Sequence, residues 1–243
     1  MCGRVVITSP ASAIRQIFGT TNPLVNMAPS WNVAPTHEVP VVRRHPETGA
    51  RHLDLLTWGL VPHWTRDLAS ARRPINARSE TVEQLPTFRQ AFRSRRGIMV
   101  ADAYYEWQTA DDGTTKLPFA IARIDGQPLA LAAIWEGWRG PDGTIVRSFS
   151  LLTTAAQGDL TAIHDRMPVW LEPADWAVWL GEQDGDPAAL LNPAPDGVLR
   201  SWRVSPQVNS VRNNDATLVD PAECSVTGTV ALSPGCATPE SGH

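Results

Sequence analysis

Short stretches rich in β-branched and aromatic residues, divided by turn dipeptides and never alternating regularly with helical stretches, constrain this chain more than any other feature. Six of them predict strands: Val39 to Arg43, Leu53 to Gly59, Gly97 to Trp107, Phe119 to Ile124, Leu129 to Trp138 and Arg147 to Thr153. Asp112-Gly113, Asp125-Gly126 and Pro141-Asp142-Gly143 read as hairpin loops between several of these, so the middle of the chain is expected to be largely antiparallel sheet. Helices are expected over Ser9 to Phe18, Thr81 to Arg93, Gly158 to Ile163 and Pro173 to Leu180, the last with Trp176 and Trp179 on one side. Strands outnumber helices without a βαβ rhythm, which implies an α+β fold and not a doubly wound parallel sheet.

The 243 residues, 42% of them hydrophobic, suffice for one large domain with a real core. No repeat or linker composition interrupts residues 1–222, which we read as one domain. From Glu223 the chain loses its large apolar residues and becomes rich in Ser, Thr, Gly and Pro, the composition of a flexible C-terminal tail. The longest apolar runs are far shorter than the roughly 20 residues that span a bilayer, and the first ten residues lack the apolar stretch of a signal peptide. A cytoplasmic, nucleoid-associated location is the expectation. Cys2, Cys224 and Cys236 are too widely spaced for a disulfide framework or a zinc site. Neither a Gly-rich phosphate loop nor a His cluster is present, so no metal and no nucleotide cofactor is expected.

Net charge is −4, yet it is unevenly spread. Between Arg66 and Arg96 eight arginines face three acids, whereas Glu172 to Asp196 holds six acids and no Lys or Arg. A basic run is compatible with a phosphate-binding surface and equally with a solvated face. Ten tryptophans are numerous for this length. Most belong in a core, but an exposed one near the arginines would make a stacking platform for unpaired bases, and Trp64, in a loop beside His63, is the best placed.

Four residues carry possible chemistry. Cys2 follows the initiator Met1, whose removal would leave an amine and a thiol on adjacent carbons; such a 1,2-aminothiol traps aldehydes, its amine (pKa about 8) forming an imine that the thiol closes to a thiazolidine. Read otherwise, it is an incidental small residue. Asn76 could orient the Cys2 amine and a sugar, with Arg78 holding a phosphate, or either it or Ser79 could serve as a cap for the following helix. Glu106, embedded in Tyr104-Tyr105-Glu106-Trp107, fits a general acid of raised pKa if desolvated, or a surface carboxylate on an edge strand. His164, beside Asp165 and Arg166, is either a proton carrier or structural.

The ordered set Met1-Cys2-Gly3-Arg4, Asn32-Val33-Ala34-Pro35, Trp58-Gly59-Leu60-Val61-Pro62, Asn76-Ala77-Arg78-Ser79-Glu80-Thr81, Tyr105-Glu106-Trp107, Leu151-Leu152-Thr153-Thr154-Ala155 and His164-Asp165-Arg166-Met167-Pro168 resembles the SRAP (SOS response-associated peptidase) family of abasic-site processing proteins. The resemblance spans residues 1 to about 222. It implies a bifurcated, mostly antiparallel β-sheet forming a pseudo-barrel with flanking helices. It also implies that Cys2, exposed by loss of Met1, crosslinks abasic sites in single-stranded DNA through a thiazolidine, possible partners including single-strand to double-strand junctions. By the same resemblance Asn76 positions the reacting groups, Glu106 assists ring opening and His164 assists sugar chemistry and reversal. Arg4, Arg78, Trp64, Pro35 and Thr153 would contact DNA, and lyase activity and self-removal of Met1 would accompany the crosslink in a monomer without cofactors. Met99 and Met167 stand where the family often has cysteine and arginine, and the loop from Trp64 to Asn76 is longer than is usual there. Two other readings use the same residues: a thiol peptidase acting on proteins with Cys2 and His164 as its pair, and a module that binds single strands without covalent chemistry.

Overall fold

The computed structural model describes residues 2–222. In chain order its elements are β1 (Val5–Ile7), α1 (Ala11–Phe18), β2 (Ser30–Val33), β3 (Glu38–Arg44), β4 (Arg51–Trp58), β5 (Asn76–Arg78), α2 (Pro86–Ser94), β6 (Arg96–Ala101), β7 (Ala103–Thr109), β8 (Lys116–Arg123), β9 (Leu129–Arg139), β10 (Ile145–Ala155), β11 (Arg166–Pro168), α3 (Trp176–Leu180) and β12 (Leu199–Arg203). Strands β10, β4, β3, β6 and β9 pair in that order, and β9 returns to β10, closing a five-stranded barrel. A second, antiparallel sheet has the order β12-β8-β7-β1-β2. This is the expected α+β pseudo-barrel, with helices few and peripheral.

Period-two alternation along the barrel strands creates two apolar faces. Val42, Leu53, Ile98, Ala132 and Leu152 point toward the helices, meeting Ile14, Phe88, Phe92 and Trp179. Val41, Leu56, Trp58, Met99, Phe149 and Leu151 point the other way, meeting Cys2, Val5, Tyr104 and Ile121 of the second sheet. The far side of that sheet, through Val6, Tyr105 and Ala120, is covered by Val204 and Val208 of the C-terminal segment. Cys2 therefore lies in the middle layer, between barrel and sheet.

Strand β10 organises the site end. Its first half pairs with β9 and, in parallel, with β4; its second half pairs in parallel with β5 and antiparallel with β11. Strands β4 and β5 thus run in succession along one edge of β10, and the chain between them leaves and returns. Gly59 (φ 122) makes the departure, and Leu60 N donates to Pro74 O at 3.1 Å, closing the base of the excursion that carries Trp64. A positive φ of this kind is unstrained only in glycine.

Several sequence expectations are corrected. Gly97 to Trp107 is two strands in different sheets, broken at Asp102, whose carboxylate accepts from the backbone N–H groups of Thr8 and Ser9 and from both hydroxyls. Asp125-Gly126 joins β8 to β9 across the two sheets and so is no hairpin, whereas the other two turns connect paired strands. The helix expected from Thr81 begins at Pro86, because proline forces Leu85 into extended backbone (φ −69, ψ 126) and then serves as the first helical residue. Ser9 precedes its helix, which starts at Ala11, and Gly158–Ala162 is a 3-10 turn. The expected tail with Cys224 and Cys236 lies outside the described residues. Among the described residues no helix is long and apolar enough to cross a membrane.

Candidate active site

Antiparallel pairing of β1 with β7 brings the start of the chain to the site: Val5 lies opposite Tyr104, and Tyr105 N donates to Arg4 O at 2.9 Å. Cys2 is fully buried, and its sulfur accepts the backbone N–H of Arg4. Burial pushes the thiol far above its ordinary pKa and the Glu106 carboxylate pushes it further, against the opposing pull of the Arg4 amide. The thiol is neutral in this state.

Asn76 approaches from the barrel side, its Nδ2 donating to Cys2 O at 2.8 Å. Its place is fixed by the backbone before it: Ile75 O accepts from Trp58 Nε1 (2.9 Å) and from Leu151 N (3.0 Å), and Pro74 O from Ser150 Oγ (2.5 Å). Asn76 Oδ1 is buried and accepts no hydrogen bond among the described residues. The cap reading of Asn76 is thereby replaced, since the helix begins ten residues later.

Glu106 is 3% exposed, on the β7 face that meets Cys2. Desolvation raises its pKa from 4.5 to about 6, although the Trp107 backbone N–H pulls the other way. Asp165 raises it too, and the same carboxylate favours the protonated form of His164, which burial opposes and outweighs. Asp165 thus links the two groups electrostatically. His164 Nδ1 stands 2.9 Å from Arg166 N and 2.7 Å from Asp165 Oδ1. It accepts from the amide only in the neutral ring protonated at Nε2, and can donate to the carboxylate only when Nδ1 is protonated. Asp165 is 84% exposed, so water weakens that pair and the neutral form prevails at pH 7.

The proposed DNA contacts are dispersed. Arg78 projects into solvent from β5, two residues from Asn76. Trp64 is 48% exposed on the excursion, its ring edge-on to His63, and Trp138 Nε1 ties the loop to the barrel through Thr65 O at 2.7 Å. Pro35 lies in a turn where Thr36 adopts φ 75, an unfavourable conformation for a β-branched residue, held by Thr36 N to Trp58 O at 2.8 Å. Thr153 is fully buried, and its carbonyl accepts from Ser79 N and Arg166. Arg4 directs its guanidinium to the opposite face of the sheet from Cys2, bonding Asn32 Oδ1 (2.6 Å) and Val208 O (2.7 Å). Of the arginines between 66 and 96, Arg95 and Arg96 are spent internally, on Glu136 and on the Trp179, Phe92 and Arg93 carbonyls. The others are exposed.

Sequence reasoning missed Tyr104, read only as an aromatic neighbour of Glu106. It is buried in the cluster that holds Cys2 and on the β7 face that carries Glu106, and its period-two relation to Glu106 was the available signal.

Barrel and sheet together bury the second residue of the chain in the layer that also holds a desolvated carboxylate. The family model described as SOS response associated peptidase (SRAP) matches residues 1–211, and the chain belongs to that family. It is 33% identical over 225 residues to the abasic site processing protein YoqW of Bacillus subtilis, covering 90% of this chain and 99% of the relative. It is 34% identical over 200 residues to the abasic site processing protein YedK of Escherichia coli, covering 79% and 84%. To the abasic site processing protein HMCES of Rattus norvegicus it is 28% identical over 272 residues, covering 92% and 76%. A solved protein from Bordetella bronchiseptica superposes with a TM-score of 0.72 at 29% identity, covering 84% of this chain and all of the other. One from Bacteroides thetaiotaomicron shares the fold with a TM-score of 0.82 at 23% identity, covering 91% and 100%.

Proposed function

We propose that this protein processes abasic sites in DNA, capturing the lesion's aldehyde on single strands in a covalent thiazolidine through Cys2 once Met1 is removed. The observation that carries the reading is the convergence on Cys2 of Asn76, whose Nδ2 donates to the Cys2 carbonyl, and of Glu106, whose pKa of about 6 leaves a usable proton near neutrality. Relatives named abasic site processing proteins match along most of their length.

An abasic deoxyribose is mostly a closed hemiacetal. Glu106 donates a proton as the ring opens, and the Cys2 amine adds to the freed aldehyde and expels water to give an imine. The sulfur then adds to the imine carbon, closing a five-membered ring. Asn76 orients Cys2 throughout, and His164, neutral at pH 7, serves sugar proton transfer and reversal. An imine that is not closed acidifies the adjacent C–H and opens a β-elimination route, the lyase branch. Arg78 would hold a phosphate near Asn76, and Trp64 would stack where a duplex is interrupted. Removal of Met1 by the protein itself uses the same centre.

The raised thiol pKa disfavours the protein-peptidase reading, which needs a thiolate attacking first; in the crosslinking reading the amine attacks first and a neutral thiol suffices. The test is denaturing electrophoresis of the mature protein after incubation with single-stranded DNA carrying one abasic site. A shifted band for the native protein and none for Cys2→Ser is expected. A stable adduct with Cys2→Ser would overturn the thiazolidine, and reversible, salt-sensitive binding alone would favour the non-covalent module.

A further inference from the structure

Tyr104 and Glu106, two residues apart on β7, share the face that meets Cys2, and the Tyr104 ring packs in the same buried cluster as Cys2, Trp58 and Phe149. Tyr104 is 1% exposed, and its Oη is fully buried and has no hydrogen-bond partner among the described residues, the Cys2 sulfur included. Buried tyrosine hydroxyls ordinarily find one, and phenylalanine would fill the same space without the desolvated hydroxyl. Its neighbour Tyr105, on the other face, donates to Trp31 O at 2.9 Å. Burial, then the Cys2 sulfur, then Glu106 hold the Tyr104 phenol protonated. In this setting it acts as a donor and not as a base. The Cys2 sulfur, in the same cluster, has the Arg4 amide as donor, while burial and Glu106 both oppose its ionisation.

We infer that Tyr104 Oη is a second hydrogen-bond donor to Cys2 Sγ, engaged as the sulfur loses its proton, which makes Tyr104 a catalytic residue of ring closure. In placing that step in ring closure the inference rests on the crosslinking reading above. During closure the Sγ–C bond forms, the C=N π pair moves to nitrogen, and the thiol proton passes to the Glu106 carboxylate left by ring opening and from there to nitrogen. Nothing is oxidised or reduced, and Tyr104 keeps its proton. The amide and the phenol together supply two donors to a charge that the apolar surroundings otherwise suppress.

The experiment compares Tyr104→Phe, Tyr105→Phe and the unaltered sequence, each with Met1 removed. Iodoacetamide alkylation of Cys2 is followed against pH by mass analysis of the N-terminal peptide, which separates it from Cys224 and Cys236. Tyr104→Phe should alkylate about tenfold more slowly near neutrality, the factor for one lost hydrogen bond to a developing charge, with its rate profile displaced by about one unit toward higher pH. Its melting temperature should be unchanged or higher, and Tyr105→Phe should leave the profile in place. With abasic single-stranded DNA, borohydride trapping of the imine should be unaffected by Tyr104→Phe while the stable adduct accumulates about tenfold more slowly. An unchanged alkylation profile overturns the inference even if the adduct forms. Failure of Tyr104→Phe to fold also overturns it, because its hydroxyl has no partner to lose. Slowed alkylation together with no adduct from the unaltered protein would instead refute the crosslinking reading and leave the donor assignment standing.

Discussion

Replacing Glu106 with Gln removes a charge that the middle layer of this protein holds at a cost, and the cost can be read from stability alone. Glu106 is 3% exposed, and its pKa rises from 4.5 to about 6, chiefly through desolvation. At about 1.4 kcal/mol per pH unit, ionising it in the folded state costs on the order of 2 kcal/mol more than in the unfolded chain. Between pH 4.5 and about 6 the native protein binds more protons than the unfolded one. The stability this group contributes is complete below pH 4.5 and is lost as the pH rises through about 6. Glu106→Gln keeps the shape and cannot ionise. Urea denaturation of both proteins across pH 4 to 8 should show a difference that is flat at the acid end, where the constant effect of the amide is read. That difference should move in favour of the variant by about 2 kcal/mol by pH 8. Parallel profiles, or a native protein that gains on the variant as pH rises, would refute the desolvated carboxylate and with it the general-acid role.

Gly97→Ala should destabilise the fold by about 1–3 kcal/mol, because a Cβ there would lie 2.8 Å from Val41 Cγ1 and 3.1 Å from Val42 O; a lower urea midpoint at unchanged slope is the expected result. Arg78→Ala, in an exposed position on β5, should leave the melting temperature in place, weaken binding to single-stranded DNA of any sequence, and reduce the slope of log affinity against log salt by about 0.7. A slope that does not change would remove Arg78 from the phosphate contacts.

The long strands were legible because β-branched and aromatic runs such as those of β3, β9 and β10 declare themselves locally. The missed ones, β1, β2, β5, β11 and β12, have three to five residues each and exist through their partners: Asn76-Ala77-Arg78 becomes a strand only by lying alongside Leu151 to Thr153. The break at Asp102 depends on Thr8 and Ser9, which lie 94 and 93 residues away, so a strand pattern that continues through it in sequence misleads. Pro86, by contrast, marked the true helix start in plain view. At the site, the chemistry-bearing types Cys2, Asn76, Glu106 and His164 could be picked out and the resemblance ordered them. The burial of the thiol, the Asn76 to Cys2 contact and the burial of the Tyr104 hydroxyl could not be read, since each depends on barrel and sheet closing over the first residues of the chain. Arg4 shows the opposite case, a motif residue whose guanidinium is engaged with Asn32 and Val208.

In the proposed adduct the Cys2 amine and sulfur are both bonded to the former aldehyde carbon. Mass analysis of the N-terminal peptide from protein incubated with abasic single-stranded DNA, digested with nuclease and protease, tests it directly. The expected product is a peptide beginning at Cys2 that carries the sugar remnant, with a fragment mass lower by one water than the sum of its parts and with the thiol resistant to alkylation. A peptide that retains Met1 and carries the sugar, or one whose sugar sits elsewhere while the Cys2 thiol still alkylates, would contradict it.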